Sequence, residues 1–240
     1  MTITPDREAR GFSFALETVT AADGIARLSL RALHRPKFGA ICADWLTPDL
    51  ARRIAAGRKQ PLAKAVGLNK PRTPDEGPLR VLDATAGLGR DGFTLAMLGA
   101  AVSLLERNPT TCALLRDARL RALAVTGAQA AAERIEILEG DAVQVIADPA
   151  NRGRWDAIYL DPMYPDDGKS ALPSKEMQLL RELTGGDADA DALLLPALAS
   201  AARRVVVKRP SKAPPLGGIA PSLQFDGTQL RFDVYLNPRA

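Results

Sequence analysis

From residue 79 onward, short apolar runs alternate with longer stretches in which apolar residues recur every three or four positions. The short runs are typical of buried strands, and the longer stretches are typical of amphipathic helices. Strands that alternate with helices predict a parallel sheet with helices on both faces. The predicted strands are residues 81–84, 102–105, 134–138, 157–160 and 204–208.

The helical pattern covers residues 91–100, 108–125, 142–150 and 191–204. The C-terminal segment differs, because the runs SLQF and TQLRFDVYL alternate and flank the dipeptide Asp226-Gly227, which is typical of a hairpin. An antiparallel hairpin that closes a parallel sheet resembles the class I, Rossmann-like S-adenosylmethionine-dependent methyltransferases. The resemblance implies an α/β fold with a mostly parallel, seven-stranded sheet.

The N-terminal part has a different pattern. Alternating runs such as IARLSLRAL predict short strands, and residues 48–67 predict helix bounded by proline and glycine. The proline-rich stretch PRTPDEGP at 71–78 indicates a connector. We therefore predict a small N-terminal α+β subdomain over 1–70 and a methyltransferase domain over 71–240.

Composition narrows the function classes. With 46% hydrophobic and 25% charged residues, the chain of 240 residues is typical of a globular protein. No apolar stretch approaches the roughly 18 residues of a membrane span, and the N-terminus lacks a signal-peptide pattern. We expect a cytoplasmic protein. The single histidine, His34, is interpreted as a surface group, and with only two cysteines we expect no metal site. The net charge of +4 is compatible with a nucleic-acid partner.

A glycine turn follows the first strand of the main domain. Asp83 ends that strand, and Gly87 and Gly89 form a G-x-G turn in which backbone amides can approach a ligand. A tight turn without a ligand is the alternative. Asp91 lies at the start of the next helix, where it would repel the pyrophosphate of NAD but suits the amino group of S-adenosylmethionine.

Further acids follow the other strands. Glu106 ends the second strand, where a carboxylate can bind both ribose hydroxyls, and Asp141 follows the third, within reach of an adenine amine. Asp161 ends the fourth. Because open α/β sheets bind ligands at the carboxyl ends of their strands, these acids predict a single site.

The stretch YLDPMYP contains the predicted catalytic residues, Asp161, Pro162 and Tyr164. D-P-x-aromatic resembles the motif of methyltransferases that act on exocyclic amines of nucleobases. The carboxylate and the Pro162 carbonyl can accept N–H bonds from such an amine, and the Tyr164 ring can stack on the base. A strand-end turn with a packed tyrosine is the alternative.

Basic residues surround the predicted site, where they could contact RNA phosphates, although solvated surface charge explains any one of them equally well. The candidates for substrate binding are Arg52, Arg53, Arg58, Lys59, Lys169, Ser170, Lys208 and Arg209.

These motifs carry a more specific resemblance. VLDATAGLGRDGF, LLERNP, YLDPMYP, KSALPSKEM, VVVKRP and RFDVYL, in this order, resemble the bacterial 16S ribosomal RNA guanine-N2 methyltransferases of the RsmJ type, over roughly residues 36 to 236. Two departures are Tyr164, where phenylalanine is usual, and Asp166 with Asp167, where basic or polar residues are common.

The resemblance implies S-adenosylmethionine-dependent methylation of one guanine, position 1516, in 16S RNA or the small subunit. The cofactor contacts that it implies fall on Arg90, Asp91, Glu106, Arg107, Asp141, Ala142 and Asp161. Two alternatives stay open. One is a methyltransferase that acts on DNA or on a small amine through the same motif. The other is a cofactor-binding ribosome assembly factor without catalysis.

Overall fold

In the computed structural model, the described residues are 2–3, 11–162, 174–185 and 190–237. Tyr164, Lys169 and Ser170, for which the sequence predicts substrate contacts, lie outside these ranges, as do Asp166 and Asp167. In the described part, no helix is both long enough and apolar enough to span a bilayer.

The centre of the molecule is a seven-stranded sheet. Its strands are β4 (Arg80–Asp83), β5 (Ala101–Glu106), β6 (Ile135–Glu139), β7 (Ala157–Leu160), β8 (Arg204–Pro210), β9 (Leu223–Asp226) and β10 (Leu230–Leu236). In space they follow the order β6-β5-β4-β7-β8-β10-β9. The first five are parallel, and β10 is antiparallel to both β8 and β9. The parallel sheet and the closing hairpin are thus confirmed.

Helices cover both faces of this sheet. They are α3 (Arg90–Met97), α4 (Pro109–Leu123), α5 (Thr126–Glu133), α6 (Ala142–Ala147), α7 (Lys175–Thr184) and α8 (Ala190–Ala199). Strand β7 is buried along its whole length, as expected for a central parallel strand.

The helices differ from the sequence prediction most clearly at two places. The predicted helix 108–125 ends at Leu123, and after an extended Val125 a separate helix, α5, packs Ala128, Ala131 and Ala132 into the core. Residues 175–184, which lie outside the predicted helices, form α7, which Ser174 caps by accepting from the Met177 amide at 3.3 Å.

The N-terminal part forms a three-stranded antiparallel sheet and two short helices. These elements are β1 (Thr2–Ile3), β2 (Phe14–Thr20), β3 (Ala26–Ala32), α1 (Pro48–Ala55) and α2 (Pro61–Val66). Phe14 and Leu30 belong to the same apolar cluster as Phe93 of α3. The division near residue 70 stays a prediction.

The interpretation of His34 as a surface group is wrong. Its side chain is 16% exposed, and its Nε2 lies 2.8 Å from Glu182 Oε2 on α7. The Nδ1 atom lies 3.0 Å from the Ser13 carbonyl oxygen. Arg35 also pairs with Glu182, at 2.5 Å. His34 therefore joins the N-terminal sheet to α7.

Candidate active site

Three acids lie side by side at the carboxyl edge of the sheet. Asp83 and Glu106 are the last residues of β4 and β5, and Asp161 follows β7, which is the other neighbour of β4. Asp141 lies two residues after the end of β6 and caps α6 by accepting from the Gln144 amide at 3.1 Å. The sheet order thus brings together acids that are up to 78 positions apart in sequence, from Asp83 to Asp161.

A first cavity, which we call the Glu106 cavity, has a volume of about 60 Å³. Glu106 is 8% exposed. Its carboxylate accepts from the Gly87 amide at 3.1 Å and from the Asn108 amide at 2.8 Å. The cavity is also lined by Arg107, Asp141 and Ala142. The Gly87 and Asn108 amides therefore hold the Glu106 carboxylate at the wall of this cavity.

A second cavity, the Asp91 cavity, has a volume of about 310 Å³. Thr85, Gly87 and Asp161 line both cavities, so the two are adjacent. The Thr85 hydroxyl accepts from the Asp161 amide at 2.7 Å, which ties β7 to the turn after β4. The other polar lining residues of the Asp91 cavity include Arg53, Asp83, Arg90, Tyr159, Glu176 and Lys208.

Ion pairs and hydrogen bonds join several of the charged residues that line the Asp91 cavity. Lys208 Nζ lies 2.6 Å from Asp161 Oδ2 and 3.2 Å from Asp91 Oδ2. Arg53 Nη1 lies 2.5 Å from the other oxygen of Asp91. The Tyr159 hydroxyl donates to Asp91 as well. The Asp91 carboxylate therefore contacts three side chains of the protein.

Burial and charge pull the pKa values of these acids in different directions. Burial raises the pKa of Asp83 well above its ordinary value, and the charges of Asp91 and Asp161 add to the rise. Burial also opposes ionisation of Asp91, but the charges of Lys208 and Arg53 outweigh it and hold its pKa below the ordinary range. Burial raises the pKa of Asp161 to about 6, with Lys208 acting against the rise and Asp91 adding to it.

The comparisons with known proteins decide the family. A model of a family of SAM-dependent methyltransferases matches residues 11–237. Ribosomal RNA small subunit methyltransferase J of Vibrio vulnificus is 48% identical over 220 residues, which cover 88% of this chain and 83% of that protein. The chain belongs to the methyltransferase J family. It is an S-adenosylmethionine-dependent methyltransferase.

Other similar proteins agree with this assignment. Ribosomal RNA small subunit methyltransferase J of Pectobacterium atrosepticum is 45% identical over 218 residues, which cover 88% of this chain and 83% of that protein. A crystal structure of a SAM-dependent methyltransferase from Neisseria gonorrhoeae matches with a TM-score of 0.67 at 36% identity. The match covers 89% of this chain and 81% of that one. The predicted fold class and cofactor are therefore confirmed.

The two glycines of the turn lack a side chain for different structural reasons. A Cβ on Gly87 would meet nothing closer than the Thr85 carbonyl at 4.0 Å, so this position is open toward the cavities. A Cβ on Gly89 would lie 2.8 Å from Leu115 and 2.9 Å from Trp45. Both glycines have positive φ. Gly87 thus fits the predicted close approach, whereas Gly89 lacks a side chain chiefly because Trp45 and Leu115 occupy that space.

The candidate RNA-binding residues of the methyltransferase do not share one surface. Arg52, Arg58 and Lys59 are exposed, with the Arg52 side chain 78% exposed, and Arg58 also donates to the Leu98 carbonyl at 2.8 Å. Arg53 turns inward to Asp91. Arg209 is 6% exposed and donates to the Pro214 carbonyl. The interpretation of Arg209 as a group at the site mouth is wrong, because its position on β8 directs its side chain into the protein.

Sequence reasoning missed two contributors to the site. Tyr159 is two residues before Asp161 on a fully buried strand, so its hydroxyl needs a buried partner such as Asp91. Trp45 donates from Nε1 to the Leu88 carbonyl at 2.8 Å and stacks on Phe93 with ring centroids 5.0 Å apart. A tryptophan in an N-terminal segment gave no signal that it would support the glycine turn.

Proposed function

We propose that this chain methylates the exocyclic N2 amine of a guanine in 16S ribosomal RNA, at position 1516, within the small subunit or a precursor of it. The family name of its relatives and the D-P-x-Y motif both support this substrate. We also propose that it acts in the cytoplasm, where its substrate is made. The observation that carries the proposal is the place of Asp161 at the boundary between the two cavities.

The residues around the two cavities fit S-adenosylmethionine. A carboxylate has about four lone-pair sites, so Glu106 can bind ribose hydroxyls while it keeps its two backbone amide partners. The open position at Gly87 leaves room for a ligand to pass between the cavities. When bound, the cofactor contributes the methyl group. The proposed cofactor-binding residues are Asp83, Gly87, Gly89, Arg90, Asp91, Glu106, Arg107, Asp141, Ala142 and Asp161.

Within this set, Asp83 and Asp91 have distinct environments. Asp83 is 2% exposed, and its burial raises its pKa well above the ordinary value, which disfavours a charge at this position. Asp91 is ionised and bound by Arg53, Lys208 and Tyr159. Its carboxylate attracts a positively charged amino group but shares its charge with those partners. Arg90 pairs with Glu176 at 2.9 Å and holds the start of α7 beside the cavity.

Asp161 has the central role in the chemistry. An aromatic amine is a poor nucleophile because its lone pair is delocalised into the ring. Asp161 and the Pro162 carbonyl accept N–H bonds from the N2 amine, which favours a pyramidal nitrogen with an available lone pair. Tyr164 stacks on the base, a contact worth about 1–3 kcal/mol in single-strand recognition. Lys208 keeps Asp161 ionised and oriented.

One assay tests this function against its alternatives. Small-subunit RNA from cells that lack the gene is incubated with the enzyme and labelled cofactor, as naked RNA and as assembled subunits. We expect one methyl group at the target guanine, and much slower transfer with Asp161→Ala. Transfer to DNA or to a small amine instead would favour the first alternative, and cofactor binding without any transfer would favour the non-catalytic assembly factor.

A further inference from the structure

Two neighbouring arginines on α1 have opposite environments. Arg52 has a side chain that is 78% exposed and pairs with Asp49 on its own helix. The Arg53 side chain is 34% exposed and reaches Asp91 on α3. It lines the same cavity as Asp161, and its charge lowers the pKa of Asp161, so the two groups are within electrostatic range. Arg53 therefore belongs to the interior of the site.

The charged and phenolic side chains that line this cavity pair with one another. Tyr159 donates to Asp91, Lys208 bridges Asp91 and Asp161, and Arg90 pairs with Glu176. A guanidinium carries five N–H donors in a fixed plane. Arg90 also supplies one here but pairs with Glu176 at the start of α7, whereas Arg53 lies within electrostatic range of Asp161. Its ion pair with Asp91 through Nη1 holds that plane in place and leaves donors for a second acceptor.

We propose that Arg53 donates to O6 of the target guanine while Asp161 accepts from its N2 amine. This inference rests on the proposed function. Guanine carries a carbonyl acceptor and an amine donor on one edge, and adenine has no amine at C2. An acid and a guanidinium facing one cavity match that pair of groups. In DNA recognition, arginine commonly donates to O6 of guanine. Arg53 thereby selects guanine, and Asp91 positions it.

The test compares two bases in the same RNA. Small-subunit RNA is built from a transcript ligated to a synthetic 3′ fragment with either guanine or 2-aminopurine at the target position. 2-Aminopurine keeps the N2 amine but lacks O6 and the N1 proton, so the readout is the change in the ratio when Arg53 is substituted. Wild-type enzyme is expected to prefer guanine by about tenfold or more in kcat/KM, as for the loss of one charge-assisted hydrogen bond.

The Arg53 variants separate specificity from structure. In Arg53→Met we expect both rates to fall, because the charge beside Asp91 and Asp161 is lost. Methylation of guanine should fall more than methylation of 2-aminopurine, so that the ratio of the two rates decreases. Arg53→Lys keeps a cation beside Asp91 in case the methionine variant does not fold, and its ratio should also fall, because an ammonium lacks the planar fork. The matched control, Arg52→Met, should keep the wild-type ratio whatever its effect on RNA affinity.

The outcomes distinguish this inference from the function on which it rests. A wild-type enzyme that leaves the guanine RNA unmethylated overturns the proposed function and the inference together. Methylation of guanine by wild type, with a ratio that stays at the wild-type value in the folded Arg53 variants, overturns the inference alone. A purely structural role for Arg53 would lower both rates by one factor and leave the ratio unchanged.

Discussion

Lys208 Nζ lies 2.6 Å from Asp161 Oδ2, at the point where the Glu106 and Asp91 cavities meet. Lys208 is on β8 and Asp161 follows β7, so the contact joins adjacent parallel strands. The ammonium group is a fixed positive charge, because the two carboxylates that it bridges outweigh its burial and raise its pKa. It therefore stabilises the ionised form of Asp161.

This contact predicts a change in pH dependence. Asp161, with a pKa raised to about 6, accepts best from an amine when it is ionised, so kcat/KM should rise with pH through that region. Lys208 lowers this pKa. Lys208→Met should therefore move the acidic limb to higher pH. A pH–rate profile measures the shift, with the exposed Lys212→Met as control. An acidic limb that does not move would show that Lys208 has no influence on Asp161.

Glu106 is expected to determine cofactor affinity. Glu106→Ala should weaken S-adenosylmethionine binding at least about tenfold, because a charge-assisted hydrogen bond contributes about 1.5–3 kcal/mol. It should also lower stability, since the Gly87 and Asn108 amides lose their acceptor. Glu106→Gln keeps an acceptor and should fold better. Titration calorimetry measures the affinity, and Glu139→Gln, with its side chain 41% exposed at the end of β6, is the control. Unchanged affinity would remove Glu106 from the site.

Substitutions of Asp161 and of Tyr164 should impair different steps of the reaction. Asp161→Ala removes an acceptor needed as the amine becomes nucleophilic, so single-turnover chemistry should slow most. Some loss of cofactor affinity should accompany it. Tyr164→Phe should be nearly silent because the ring face remains, whereas Tyr164→Ala should lose base stacking. If Tyr164→Phe were as inactive as Tyr164→Ala, the hydroxyl would matter and stacking would be the wrong role.

Truncation of Trp45 should lower both the stability of the protein and its affinity for the cofactor. Trp45 is 1% exposed, stacks on Phe93 and donates to the Leu88 carbonyl in the glycine turn. Trp45→Ala should reduce the free energy of unfolding by about 3–5 kcal/mol, as for other buried aromatic truncations. Trp45→Phe keeps most of the packing and should lose less. Urea denaturation measures both, and calorimetry should show weaker cofactor binding in the alanine variant. Stability that is insensitive to both substitutions would contradict the packing described for this tryptophan.

The exposed basic residues of the N-terminal helices should contribute to RNA affinity. If Arg52 and Lys59 contact phosphates, each neutralisation to glutamine should reduce the salt slope of RNA binding by about 0.7 to 0.9. Cofactor affinity should not change. Arg152→Gln, an exposed arginine that precedes β7 on the opposite edge of the sheet, should leave the slope as it is. If neutralising Arg52 and Lys59 did not change the salt slope, these side chains would be in contact with solvent and not with RNA phosphates.

The sequence by itself determined the layered α/β fold, the closing hairpin and the acids at the strand ends. These follow from local patterns, because apolar periodicity fixes the elements and the parallel sheet gathers their carboxyl ends at one edge. The same logic found Glu106 and Asp161 without knowledge of any contact. It also marked the Asp226-Gly227 turn, which the structure has between β9 and β10.

Only the tertiary structure decided which charged groups face one another. Arg53, Asp91 and Lys208 lie on α1, α3 and β8, and no local pattern distinguishes Arg53 from the exposed Arg52. The burial of Arg209 and the contact of His34 with Glu182 likewise depend on how distant elements pack. Side-chain direction and ion pairing at long sequence separation are set by that packing, since burying a charge requires a partner that only the folded chain brings near.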